Sequence, residues 1–439
     1  MFESLKQTLL HVGFRKYFFN TSWLMVEKVL RLVVGLFIGV YVARYLGPSR
    51  FGLLSFSMSF VALFGTFAKL GLDGIVVRNA VQSPETRDEL LGTAFGLRIF
   101  GGVALLALVF GAVQLTDSEP VTRLLIMIIA AGYVLQAFQV IEFYFQSQVL
   151  ARLISIAGIT GLIFSSVFKL FLVLSGASLV WFAWAVIVEN GIRGVVLIVL
   201  HSRRNSFWHW QFRIEQARGL IRDAWPLILS GLVIAVYMRV DQVMIKAMLD
   251  DAAVGYYAAA VKLSEAWYFV PMAITQSLFP AILNAKKSSE ALYYKRLQNL
   301  YDLMVWLGIA VALPMTFLSG WLVVALFGAE YSEAGYVLAI HIWAGLFVAM
   351  GVASSRWLIV ENLQIISAVN TTIGAVLNIF LNYYLLPIFG AAGAAYATIL
   401  SYSIAAYLAL ALHPKSRVNF FLLTKSLNFF RFPRMILKL

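Results

Sequence analysis

The chain has 439 residues, 61% of them hydrophobic and only 13% charged, and its mean hydropathy is +0.85. Soluble domains run nearer half apolar and a quarter charged, so this composition leaves too little polar surface for a folded globule in water, and lipid is the solvent that fits it. The net charge of +13 does not point to nucleic acid, because the bases sit mostly between apolar runs, where the positive-inside bias places them. Cysteine is absent, which removes disulfide frameworks, thiolate zinc sites and cysteine nucleophiles.

A membrane span needs roughly 20 apolar residues. Twelve such runs are read in chain order, at about 17–43, 51–74, 90–114, 123–145, 153–174, 178–200, 224–249, 255–283, 299–320, 334–358, 363–386 and 390–412. The segment before the first run is mildly amphipathic, and that run does not end in a small-residue cleavage site. It is therefore read as an uncleaved helix, not a signal peptide. The eighth run is the longest, and Pro271 is expected to kink it.

Lys and Arg set the orientation. Alternate loops collect Lys6, Arg15, Lys16, Arg87, Arg152, Arg203, Arg204, Arg213, Lys286, Lys287 and the bases after Lys415. The opposite loops read GPSR, TDSEP, SGAS, LDDAA, GAEYSEAG and PIFGAAG. This asymmetry places both termini in the cytoplasm. No outer loop is long enough for an external catalytic domain. The longest inner loop, about 201–222, carries Trp208, His209, Trp210 and Phe212 among arginines, and it reads as an interfacial helix between two halves. The expected organisation is an N-terminal six-helix lobe at 1–212, a C-terminal six-helix lobe at 213–412 and a basic cytoplasmic tail at 413–439. The tail reads as an amphipathic segment on the membrane surface, with a disordered tail as the alternative.

The halves repeat one another. Leu46-Gly-Pro-Ser-Arg-Phe-Gly52 follows the first span and Leu249-Asp-Asp-Ala-Ala-Val-Gly255 the seventh, and Gly176 to Ala183 matches Gly390 to Ala397 in spacing. An even number of spans per half makes the halves parallel, related by an axis along the membrane normal. The fold class is thus all-α integral membrane, with about twelve transmembrane helices in two parallel six-helix halves around a central cavity. The glycines read as tight turns and close helix packing.

Several motifs carry a family resemblance. Val42 to Ser55 is similar to the ARxLGxxxFG signature of polysaccharide repeat-unit flippases, the Wzx-type O-antigen transporters of the MOP exporter superfamily. Tyr237 to Met244 resembles their RxDxxM stretch, and Phe143-Tyr-Phe-Gln146 their aromatic-Gln end of the fourth span. The family often continues with Gly-Leu-Glu where this chain has Ser147, Gln148 and Val149, which puts in doubt a role for an acid there. The resemblance implies movement of an undecaprenyl-pyrophosphate-linked oligosaccharide to the outer leaflet of a bacterial inner membrane. It also implies lipid partners and the company of a polysaccharide polymerase and chain-length regulator.

Charges inside spans usually face a cavity or a partner. Arg31 and Arg239 lie near the middle of the first and seventh spans, which are equivalent in the repeat. Guanidinium groups bind phosphate oxygens bidentately, so these two, with Lys28, Lys246 and Lys262, are the candidate substrate-binding residues. The competing reading is local pairing, at Glu27 with Arg31, Glu189 with Arg193 and Lys262 with Glu265, and Asp241 offsetting a base on a neighbouring helix. Arg98 and Lys169 read as lone bases that snorkel. No phosphate loop is present, so ion-coupled transport is the default. Asp241, Glu189 and Glu265 are the candidate proton or sodium sites, although each has a basic neighbour in sequence. His341 reads as packed rather than titrating. Trp267, Tyr268 and Tyr237 are candidates to stack on sugar rings. The five histidines are scattered, so no catalytic residue, metal or cofactor is assigned. The alternatives are a multidrug or small-molecule antiporter of the same superfamily, a membrane glycosyltransferase or polymerase, and a scaffold in polysaccharide assembly.

Overall fold

The computed structural model describes residues 12–116, 119–205 and 209–428, with side chains from Phe19 onward. Every regular element among the described residues is helical. The α-helices are α1 (Val12–Lys69), α2 (Asp73–Gln82), α3 (Arg87–Gln114), α4 (Pro120–Val134), α5 (Val140–Ser147), α6 (Ala151–Leu174), α7 (Leu179–Ser202), α8 (Ile214–Met248), α9 (Asp251–Glu265), α10 (Phe269–Ser288), α11 (Glu290–Phe327), α12 (Ser332–His341), α13 (Ala344–Val360), α14 (Gln364–Phe389), α15 (Ala391–Ala406) and α16 (Arg417–Ser426).

Ten helical stretches among the described residues are long and apolar enough to cross a membrane, and the α12–α13 pair, bent by 40°, makes an eleventh. The twelfth is hidden in α1. Its 58 residues would run about 87 Å as one helix, nearly three bilayer cores. At Gly47 the backbone leaves the helix (φ 72, ψ 170), which divides α1 into the first and second expected spans. Large apolar side chains such as Phe100 (71% exposed) and Phe317 (80%) stand outward, as lipid-facing positions do.

Broken spans recur at equivalent places. The second span stops after Lys69 and resumes at Asp73, through left-handed Leu70 and Gly71. The eighth stops after Glu265 and resumes at Phe269. Pro271 explains that break, since it has no N–H to give the carbonyl of Trp267. The fourth is interrupted by a 3-10 turn at Leu135–Gln139, and the tenth between His341 and Ala344.

The repeat is also visible as contact. A Cβ on Gly52 would lie 1.8 Å from the carbonyl oxygen of Asp251, and one on Gly255 would lie 2.1 Å from that of Pro48. The two motifs pack on each other through matching positions, and only glycine allows backbones so close. Gly176 and Gly390 both take positive φ, at 68 and 59, so the second pair of motifs is a pair of matching turns.

Two compact units make up the chain. The first takes α1 as far as Val42 together with Ser57–Ala235, and the second takes Ala43–Phe56 together with the chain from Val236. The unit boundaries fall inside α1 and α8, not in loops. Unit 1 has a core of Leu72, Val76, Leu91, Val140 and Leu220, and unit 2 a core of Tyr301, Met304, Met350 and Trp357.

Two expectations are corrected. The stretch before α8 is not an interfacial helix over its described part, and Trp208 lies outside the described residues. Trp210, Gln211 and Phe212 form a non-helical strap over Gly92 and Gly96 of α3, where a Cβ would meet Gln211 at 2.7 Å and Phe212 at 2.6 Å. Thr93 fastens the strap by accepting from the Arg213 N–H at 3.1 Å. The tail after His413 does not lie free on a surface as far as it is described. Helix α16 docks on α11 with Asn419, Leu423 and Ser426 buried. Gln298 donates to Ser426 at 2.7 Å and to the Leu422 carbonyl at 3.0 Å. Asn419 donates to Ser354 at 2.7 Å and accepts from Tyr301. Residues 429–439 of the expected tail lie outside the described residues.

Candidate functional site

Unit 1 gathers charges from four helices. Arg31 of α1 stands between Glu27, one turn earlier at 3.4 Å, and Glu189 of α7 at 2.5 Å. It also reaches the carbonyl of Gly158 on α6 at 3.4 Å. A Cβ on Gly158 would sit 2.1 Å from the Glu27 carboxylate, so the glycine makes room for the acid. Beside this group, Glu142 of α5 accepts from both Nε and Nη2 of Arg193 at 2.7 and 3.0 Å. Lys169 of α6 lies in the field of Glu189, which attracts it, and of Arg31, which repels it.

Local spacing alone did not decide these partners. Glu27 and Arg31 do pair, as their separation of four suggests. Glu189 and Arg193 have the same separation on α7, but each turns to a different helix, because a fork-to-carboxylate pair across a packed interface outweighs a one-turn contact along a surface. Arg98 is not a snorkelling base. It is buried at 3% exposure, paired with Asp73, donating to the Gln136 carbonyl at 3.3 Å, and its guanidinium stands 4.9 Å from the Phe143 ring centre.

Unit 2 treats its carboxylate differently. Asp241 of α8 is 5% exposed. It accepts from Tyr257 of α9 at 2.5 Å, Asn382 of α14 at 2.7 Å and Thr398 of α15 at 2.9 Å. Asn382 donates as well to Asn378 at 3.1 Å. These are neutral dipoles, in place of the base that sequence proximity suggested. Lys246, on the same helix, is held by Asp251 at 2.6 Å instead. Glu265 lies in the field of Arg239 and of Asp241. Arg239 itself forms no ion pair or hydrogen bond among the described residues. Lys28 is exposed and Lys262 partly buried. His341 is packed, as expected, with Nδ1 2.9 Å from the Ser264 hydroxyl. Tyr237 stacks on Tyr402 at 4.5 Å and 29°, so one face of its ring is already covered.

Among the described residues no group of three or more His, Cys, Asp and Glu could hold a metal ion. The oxygens around Asp241 suit only a hard cation of low charge. Asn382 Oδ1 is buried there without a hydrogen-bond partner among the described residues, and an orphaned acceptor beside a carboxylate fits such an ion. The residues that sequence reasoning missed are Glu142, Asn378, Asn382 and Thr398. A signal for two of them was present: Asn378 and Asn382 lie one turn apart, with Asn370 two turns before Asn378, in a spanning helix.

Residues 18–286 match the family model described as polysaccharide biosynthesis protein. The probable flippase AglR of Haloferax volcanii is 26% identical over 89% of this chain and 82% of its own length. Among solved structures, the lipid II flippase MurJ in an inward closed conformation superposes with a TM-score of 0.69 at 16% identity, over 94% of this chain and 95% of that one. An inward-facing multidrug resistance MATE family transporter of the MOP superfamily superposes with a TM-score of 0.67 at 15% identity, over 93% of this chain and 100% of that one. These two likenesses confirm the all-helical transporter fold.

Proposed function

We propose that this chain, which belongs to the polysaccharide biosynthesis protein family, carries a lipid-linked oligosaccharide from one leaflet of the membrane to the other. The substrate class is an oligosaccharide repeat unit on undecaprenyl pyrophosphate. The membrane is the bacterial inner membrane, with both termini cytoplasmic. Transport proceeds by alternating access without covalent chemistry, and a polymerase and a chain-length regulator receive the product.

The observation that carries this reading is Arg239. It is a permanent cation in the middle of a spanning helix with no ion pair or hydrogen bond among the described residues. Such a charge costs several kcal/mol in hydrocarbon unless water or an anion meets it. A pyrophosphate headgroup is an anion that needs the same relief. Arg31 of unit 1, with a side chain 36% exposed, has donors left beyond its two carboxylates and is, with Lys28 three residues before it, a further candidate for an anionic headgroup. A small-molecule antiporter of cationic drugs would favour an acidic or neutral cavity, and the basic spans speak against it. Ion coupling fits Asp241: with Asn378, Asn382 and Thr398 it would hold a sodium ion, whose downhill movement would supply the driving force.

The test is complementation in a host that lacks its own repeat-unit flippase, with membrane abundance followed in parallel. Arg239→Ala is expected to lower surface polysaccharide at least tenfold at unchanged abundance, and Arg31→Ala to lower it less. Full polysaccharide from both variants would remove the cationic-headgroup reading.

A further inference from the structure

Unit 2 contains a cavity of about 260 Å³ between α8, α13, α14 and α15. Its polar lining comes from Ser354, Ser355, Ser367, Asn370 and Thr371, and its titratable groups among the described residues are the phenols of Tyr237 and Tyr402. Ser355 and Thr371 donate their hydroxyl hydrogens back to the helix carbonyls of Val352 and Ser367, at 2.8 and 2.9 Å. Their oxygen lone pairs are therefore left for whatever fills the cavity. Asn370 is only 6% exposed and has no hydrogen bond among the described residues, so its amide serves the cavity alone.

A row of buried residues on α14 runs from the cavity to the Asp241 site. Asn370, Gly374, Asn378 and Asn382 follow one another at intervals of one turn on α14, and all four are buried. The last two reach Asp241. Polar side chains along the buried face of a spanning helix are costly and seldom kept without a use. Tyr237 precedes Asp241 by one turn on α8, and Tyr402 follows Thr398 by one turn on α15. Each helix thus gives a tyrosine to the cavity and, at the next turn, a group to the carboxylate. The two rings stack at 4.5 Å between them. Gly374 lets α14 close on this pair, since a Cβ there would lie 2.9 Å from the Tyr237 ring and 2.8 Å from Ala405.

We propose that this neutral cavity is the vestibule through which a sodium ion reaches and leaves Asp241, and that the Tyr237–Tyr402 stack is its gate. The proposal rests on the reading of Asp241 as the cation site. A lining of hydroxyl and amide oxygens without a carboxylate hydrates a cation without trapping it, and the one acid beyond the gate retains it.

The chain has no cysteine, so Asn370→Cys introduces a single thiol into an otherwise unlabelled protein. The experiment uses the full chain in nanodiscs, a neutral water-soluble reagent (hydroxyethyl methanethiosulfonate) and radioactive sodium. The expected result is that the thiol reacts, and that sodium exchange then slows at least tenfold while equilibrium binding changes less than threefold. The same treatment of Thr372→Cys, on the exposed side of α14, leaves exchange unchanged. Tyr402→Ala, which opens the gate, speeds exchange, and Thr371→Cys replaces Asn370→Cys if that variant does not fold. Asp241→Asn separates the two readings. If it abolishes sodium binding while the modified Asn370→Cys protein exchanges normally, or its thiol stays unreactive, the vestibule is overturned and the site stands. If the unaltered protein binds no sodium, or Asp241→Asn binds it as before, the site falls and the vestibule with it.

Discussion

Unit 1 and unit 2 each bury carboxylates in spanning helices, and they compensate them by opposite means. In unit 1 the acids meet guanidinium groups: Glu142 with Arg193, and Glu27 and Glu189 with Arg31. In unit 2, Asp241 meets a phenol, an amide and a hydroxyl. A carboxylate matched by a fixed counter-charge is already compensated, and losing its partner exposes the full desolvation cost. A charge held by dipoles is only partly compensated, and a small cation completes it. On the proposed reading, the first arrangement holds the fold together and the second exchanges an ion.

The largest effect that can break this comparison is in unit 1. Glu142→Ala leaves the half-buried Arg193 guanidinium without its carboxylate and should destabilise the protein by about 3–5 kcal/mol. The readouts are thermal unfolding in detergent and membrane abundance. Replacing both partners, Glu142→Met with Arg193→Met, should restore most of the loss, because a buried pair is often no more stable than apolar groups of similar volume. An abundant, normally melting Glu142→Ala protein would show that the pair is not structural.

The next effect is smaller and of another kind. Asp241→Asn keeps the shape and part of the hydrogen bonding, so it should cost about 1–2 kcal/mol of stability. What it should remove is the response to sodium. A ligand at a hundred times its dissociation constant stabilises the native state by about 2.7 kcal/mol, so the unaltered protein should melt higher in sodium than in an organic cation. Asp241→Asn should not show this rise, whereas the Glu142→Met, Arg193→Met protein should. A sodium response that survives in Asp241→Asn would erase the distinction between the units.

The sequence carried the repeat because glycine is legible. Gly52 and Gly255 mark backbones too close for a side chain, and Gly176 and Gly390 mark turns with positive φ. The same logic was blind to Val149 and Asn362, which take φ of 58 and 56 at matching ends of the fourth and tenth spans: a β-branched valine argues against that conformation, and asparagine, which tolerates it, also occurs widely outside it. The spans were legible as apolar runs, but the interruptions of the fourth and tenth were not, since no proline marks them. Charged positions were legible as positions and not as pairs. Spacing on one helix suggested Glu189 with Arg193, and the actual partners, Arg31 and Glu142, come from helices more than fifty residues away. Asp241 was legible as an acid in a span, but its partners are neutral, and neutral residues were weighed as packing. The strap at Trp210 and the docking of α16 escaped for a related reason. Both depend on what a neighbouring helix offers, small residues at Gly92 and Gly96 in one case and Tyr301 and Gln298 in the other.

The smallest effect sharpens the comparison most finely. The Thr398 hydroxyl lies 2.9 Å from both Asp241 Oδ2 and the Ala394 carbonyl, with the Tyr257 hydroxyl 3.3 Å away. Thr398→Val keeps the branched shape and removes only the oxygen. Asp241 then still has Tyr257 and Asn382, so stability should fall by about 1 kcal/mol, the worth of one shared hydrogen bond. If Thr398 serves only to solvate the carboxylate, the loss ends there and sodium affinity is untouched or rises, because the ion gains a less satisfied acid. If the hydroxyl oxygen belongs to the ion's own coordination, affinity falls roughly tenfold, about 1.4 kcal/mol, with no change at any pair in unit 1. Titration of the melting temperature with sodium separates the two outcomes. The tenfold loss is expected, because the threonine oxygen lies against the carboxylate and Asn382, whose amide N–H also meets that carboxylate, keeps an orphaned oxygen at the same group.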